Sequence, residues 1–100
     1  MPFSRPFPRS FTMSSVRKHA PAMSGVYGIS NASEWIYIGE TDNIQEALLG
    51  YLQKGNPSLL QGPPTGFVFE LCDSSSRLTR QDRLVLEYEP KRNRHWSLAR

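Results

Sequence analysis

Few side chains in this 100-residue chain belong to types that do chemistry, and their spacing narrows them further. Cys72 is the single cysteine, so no disulfide closes within the chain and no cysteine-based zinc site forms from one copy. It ends the apolar run "FVFELC", where a small buried side chain is expected rather than a nucleophile. His19 and His95 stand far apart in basic surroundings, without partners at ligand spacing, and are expected to be solvated. Arg77, Arg80 and Arg83 recur at helical spacing as a basic stripe, which is either a solvated face or a ridge turned toward phosphates. Tyr27 and Tyr37 sit ten positions apart in "GVYGISNASEWIYIGET". That stretch reads either as a plain hairpin with packed cross-strand tyrosines or as the front half of an active site.

The elements that must position these residues begin near Ser24. "GVYGIS" and "EWIYIG" are β-rich runs joined by a polar bend, a hairpin whose loop is longer than two residues. "TDNIQEALLGYLQKG" predicts a helix capped by Thr41 or Asp42, with Ile44, Ala47, Leu48, Tyr51 and Leu52 on one face and Gly55 as its stop. Gly62, Pro63 and Pro64 mark a loop, and "FVFELC" is a short strand buried on both faces. "DSSSRLTRQDRLVLEYEP" predicts a second helix opened by Ser and Thr caps. Leu78, Leu84, Val85 and Tyr88 run down one side, and Pro90 ends it. The order is β-β-α-β-α, an α+β domain with a three-stranded antiparallel sheet flanked by helices, over residues 23–94.

Residues 1–22 are rich in Pro, Ser and Arg, show no structural period, and are expected to form a disordered basic arm; residues 95–100 form a basic tail. The arm lacks the apolar segment of a secretory signal, and its prolines spoil the amphipathic helix of a transit peptide. An early start, with Met13 or Met23 as alternatives, accounts for it equally well. The net charge of +3 is unevenly spread. Arg5, Arg9, Arg17 and Lys18 at one end and Lys91, Arg92, Arg94 and Arg100 at the other have no acid among them. Between them, four basic residues face nine acids. A globular nucleic-acid-binding surface is not expected from that pattern, although basic ends can reach phosphates. "NRHWSLAR" adds Trp96, able to stack on a base or to tuck back onto the domain.

Two signatures far apart in the chain together resemble the GIY-YIG nuclease superfamily, in its excision-repair branch. Gly25-Val26-Tyr27 and Tyr37-Ile38-Gly39 match its first and second motifs, followed by Thr41, Asn43 and Ile44. Tyr51 matches a position often His or Tyr, and "LVLEYEPKRN" is similar to the branch's ending, with Asn93 last. The resemblance covers about residues 24–94. It implies a nuclease site in which the tyrosines position or deprotonate water, an Arg on the first helix steadies the phosphate, and one Glu on the last helix holds a divalent metal. Such chemistry needs all three parts. Counted along the motifs, the Arg position is Ala47 and the Glu position is Gln81, while Glu40 follows the second motif with a charge that would repel phosphate. Asp82 and Glu87, as substitute metal ligands, would point elsewhere round the helix.

The resemblance therefore implies a catalytically degenerate domain acting as a nucleic-acid- or protein-binding module, with Tyr27, Tyr37, Tyr51 and Asn93 as motif remnants. The alternatives are an active endonuclease with displaced catalytic groups, using Mg or Mn, and a protein-interaction subunit with no nucleic-acid role. No cofactor is expected for the degenerate domain. DNA contact is assigned to Arg77, Arg80, Arg83, Lys91, Arg92 and Arg94. No apolar run approaches the roughly 20 residues that cross a bilayer, and a cytoplasmic protein is expected.

Overall fold

The computed structural model describes residues 3, 8–32, 34–53 and 64–90. Its elements are β1 (Arg9–Ser10), α1 (Met13–His19), β2 (Gly25–Ser30), β3 (Trp35–Thr41), α2 (Ile44–Gln53), β4 (Gly66–Leu71) and α3 (Arg77–Tyr88). The expected β-β-α-β-α order is present from β2 to α3. The sheet is antiparallel throughout and has four strands rather than three, in the order β1-β4-β2-β3.

The hairpin forms because its turn carries its own hydrogen bonds. Asn31 N–H donates to the Glu34 carbonyl at 2.9 Å, and Glu34 N–H donates to Asn31 Oδ1 at 2.9 Å. Just before the turn the register slips, with Ile29 opposite Tyr37 and Ser30 opposite Trp35. This bulge leaves Ile36 unpaired and lets Ile36 and Tyr37 both pack on one face. β2, central in the sheet, is buried at all six residues.

One face of the sheet carries Tyr27, Ile29, Ile36 and Phe67, packed on Ile44 and Leu48 of α2 and Val16 of α1. The other carries Val26, Ile38 and Val68, packed on Leu84 and Val85 of α3. The expected face of α3 needs one correction. Leu78 is 55% exposed, and Gln81, 7% exposed, sits in the buried stripe instead. Position 78 shares the helical angle of 85 to within about 20°, but it stands in the first turn of α3 and is exposed there.

The loose arm expected over residues 1–22 is not met at the described positions. Arg9 and Ser10 pair with Phe67 and Gly66 along the edge of β4, and Phe11 N–H donates to the Thr65 carbonyl at 3.0 Å. α1 is capped by Thr12, whose hydroxyl accepts from Ser15 N–H, and buries Val16. Phe11 and Ala20 join the α2-side core, while Phe3 reaches the opposite face, stacking on Trp35 and tilting against Tyr88. The segment has no local period because long-range packing, rather than propensity, holds it. Truncating Phe11 to Ala removes a buried ring and is expected to lower unfolding stability by about 3–5 kcal/mol. Urea denaturation that leaves the midpoint unmoved would show residues 1–22 to be the free arm that composition suggests.

Candidate functional site

Strand alternation decides which candidate residues meet. On β3, Tyr37 and Thr41 face α2, while Ile38 and Glu40 face α3. Tyr27 arrives from β2 on the α2 side, opposite Gly39 in register. A Cβ on Gly39 would lie 2.7 Å from Tyr27 Oη and 2.8 Å from Tyr37 Cε2, so only glycine lets both rings settle on this strand. The Tyr27 and Tyr37 ring centroids are 6.0 Å apart, and Tyr37 and Tyr51 are 6.5 Å apart. Tyr51 leans in turn on Phe11 at 6.0 Å.

These three rings floor an open cleft of ≈ 550 Å³. α2 walls it with Glu46, Ala47 and Gly50. The structure thus brings Tyr27, Tyr37 and Tyr51 together as the resemblance implies, with Ala47, the Arg position, among them. A methyl group stands there, and a Cβ on Gly50 would meet open space. Glu46 is the one carboxylate among the described residues lining the cleft, and its carboxylate has no ion-pair partner among them. Nothing in the motif pointed to it except its place beside Ala47.

Other candidates lie elsewhere. Glu40, expected near a bound phosphate, faces the opposite side of the sheet and accepts from Arg77 Nε at 2.8 Å. Arg77 also donates to Ser24 Oγ at 3.2 Å. Arg80 makes a bidentate pair with Glu70, at 2.7 Å and 2.9 Å, and these bonds push its already high pKa further up. So Arg77 and Arg80 are clamps between α3 and the sheet, each adding on the order of 1 kcal/mol, and only Arg83 of the expected stripe is exposed. Gln81 is buried in α3, donates weakly to Asp82 Oδ1 at 3.4 Å, and does not line the cleft. Asn93, Lys91, Arg92 and Arg94 lie outside the described residues, as do His95 and Trp96.

A helix N-terminus often supplies amides for a phosphate, but those of α2 are already used. Ile44 N–H donates to the Met23 carbonyl at 2.9 Å, and Gln45 N–H to the Pro21 carbonyl at 3.0 Å. Glu46 N–H donates to Asn43 Oδ1 at 3.0 Å. Asn43 is therefore the cap, in place of the expected Thr41 or Asp42; Thr41 instead accepts from Asn43 N–H at 3.1 Å. At the start of α3, Asp73 rather than a Ser or Thr does the capping work. It accepts from the hydroxyls and amides of Ser75 and Ser76, which hold its carboxyl below the usual range.

Burial above all, and then Tyr37 by charge and by hydrogen bond, push the Tyr27 phenol well above its ordinary pKa. Burial likewise pushes the Cys72 thiol up, aided by Glu70 and Asp73, which leaves it a poor nucleophile as expected. Slight desolvation, with Arg9 and Lys18 nearby, lowers the pKa of His19. No group of three His, Cys, Asp or Glu residues placed to hold a metal occurs among the described residues. No helix among them is long and apolar enough to cross a membrane.

Compared by sequence, the chain matches no family profile and no curated protein. Compared by structure, it matches the GIY-YIG N-terminal endonuclease domain of UvrC from Thermotoga maritima bound to magnesium, its catalytic divalent cation. The TM-score is 0.63 at 23% identity, covering 76% of this chain and 92% of that one. Two point mutants of the same domain, each a tyrosine changed to phenylalanine and bound to the cation, match at TM-score 0.63 and 22% identity, covering 91% of those chains. This chain therefore has the GIY-YIG fold.

The raised Tyr27 pKa carries a stability prediction. Above about pH 10 an unfolded tyrosine ionises while the folded one keeps its proton, so stability present below that pH is lost as pH rises. Tyr27→Phe is expected to flatten this alkaline loss in denaturation experiments repeated across pH. An unchanged slope would mean that Tyr27 titrates as an ordinary exposed phenol.

Proposed function

We propose that this GIY-YIG-fold domain is catalytically degenerate and works as a binding module, for nucleic acid or protein, without cutting phosphodiesters. The observation that carries the reading is the wall of the tyrosine cleft, where Ala47 and Glu46 stand where a phosphate would need a cation. Losing one preorganised charge-stabilising donor typically costs about 100- to 1,000-fold in rate. The spent amides at the start of α2 offer no replacement. The Tyr27 phenol, held protonated by burial, is a poor base at neutral pH.

The divalent cation that the fold implies does not fit the residues present. Gln81 is a neutral amide buried away from the cleft, and Glu46 is the one carboxylate among the described lining residues, whereas ions of the Mg class need several oxygen ligands, carboxylates among them. No step is assigned to a metal here. DNA contact, if made, falls to Arg83 and the basic ends, because Arg77 and Arg80 are committed to Glu40 and Glu70. Binding through so few phosphates is weak, sequence-independent and steeply salt-dependent. The acidic middle of the chain equally supports a protein partner.

Purified protein incubated with supercoiled plasmid and Mg²⁺ or Mn²⁺ is expected to leave the plasmid intact. Cleavage abolished by Tyr37→Phe would sink the proposal. If Glu46→Gln abolished it too, the displaced-group endonuclease would be the correct reading. The paired changes Ala47→Arg and Gln81→Glu are expected to create no divalent-metal affinity measurable by calorimetry, because Gln81 is buried on the α3 side and does not line the cleft. A gain in affinity would show that the two positions meet in one metal site after all.

A further inference from the structure

A cleft built to hold a phosphate should be electropositive, and this one has the opposite character. Its floor is aromatic, with Tyr27, Tyr37 and Tyr51 in sequence at 6.0 Å and 6.5 Å between ring centroids. Its one charged lining group among the described residues is the exposed carboxylate of Glu46. Ala47 and Gly50, one helical turn apart, present no bulk on that wall, and no cation lines the cleft among the described residues. Ring faces with a single carboxylate attract a cation that parts readily with its water, which describes an alkylated ammonium better than a bare, strongly hydrated one.

We propose that the cleft formed by Tyr27, Tyr37, Tyr51 and Glu46 binds an alkylammonium cation, and that its ligand is the methylated lysine side chain of a partner protein. The ring faces meet the polarised methyl groups, and Glu46 supplies the countercharge. The cleft, ≈ 550 Å³ and open to solvent, has room for a side chain presented on a peptide. The assignment rests on the binding-module reading and deepens it. Loss of the phosphate-clamping arginine converts an anion site into a cation site, with the tyrosines kept and their use changed.

The first probe is tetramethylammonium, titrated into the full chain and followed by NMR of the tyrosine ring resonances. Saturable binding is expected with a dissociation constant on the order of 1 mM. The neutral isostere neopentyl alcohol is expected to bind at least about 5-fold more weakly, and equal binding would overturn the cation assignment. A trimethyl-lysine peptide should bind at least about 5-fold more tightly than its unmodified lysine twin; equal affinity would overturn the methyl-lysine ligand. Glu46→Gln and Tyr51→Leu should each weaken binding by about 3- to 5-fold, while Tyr51→Phe, which keeps the ring face, should bind as the parent does. Glu46 is exposed, so its variant tests the site even if Tyr51→Leu impairs folding. Tetramethylammonium failing to bind while plasmid stays intact overturns the ligand alone; metal-dependent plasmid cleavage overturns the underlying reading and this proposal with it.

Discussion

A strand buried at every one of its six residues must be roofed on both faces, and β2 imposes that requirement on everything around it. Its odd and even side chains each need an apolar cover, so helices have to pack on both sides of the sheet. α2 meets the need on one side with Ile44 and Leu48, and α3 on the other with Leu84 and Val85. Neither helix covers its face alone. The residues before β2 complete both roofs, with Phe11 and Val16 on the α2 side and Phe3 on the α3 side, while β1 closes the exposed edge of β4. A segment with no secondary-structure signature thus becomes part of two cores.

The same two-sidedness separates the charges from the tyrosines. Side chains of β3 and β4 that face α3 include Glu40 and Glu70, and these fix Arg77 and Arg80 at part-buried ion pairs. Side chains that face α2 include Tyr37 and Thr41. The arginines most suggestive of phosphate binding therefore hold the domain together on one face, while the aromatic cleft opens on the other. An arginine stripe on a helix reads as a nucleic-acid footprint only until the acids across from it are located.

Much of this was legible in the residues, and the misses have physical causes. The hairpin, α2 and β4 announced themselves through turn chemistry and apolar spacing. The first 22 residues did not, because four prolines and scattered aromatics leave no period to read, and a single Phe3 anchored among Trp35 and Tyr88 is a purely tertiary fact. The cap of α2 went to Asn43 rather than Thr41 or Asp42, a shift within the usual uncertainty of helix ends. Leu78 has the helical angle of the buried stripe, and its exposure in the first turn of α3 is a tertiary fact that spacing does not carry. The side on which Glu40 lies was readable. It stands three residues from Tyr37 on one strand, and an odd separation puts the two on opposite faces.

The tyrosine signature is a weak report of activity for a reason visible in the packing. Tyr27 is 9% exposed and belongs to the α2-side core; Tyr51 rests on Phe11, and Gly39 exists in the space that the two hairpin rings require. Replacing any of them disturbs the fold whether or not a phosphodiester is ever cut. A phosphate-clamping arginine or a metal-binding glutamate has no such second duty. Its charge is costly to hold in a half-buried cleft unless the ligand is there to meet it. In a domain where hydrolysis no longer mattered, the two kinds of residue would part company. The charged groups would be free to change, while the rings would stay to fill the sheet. What such a loss would leave is an aromatic surface already paid for by folding, whose ligand charge a nearby carboxylate could set.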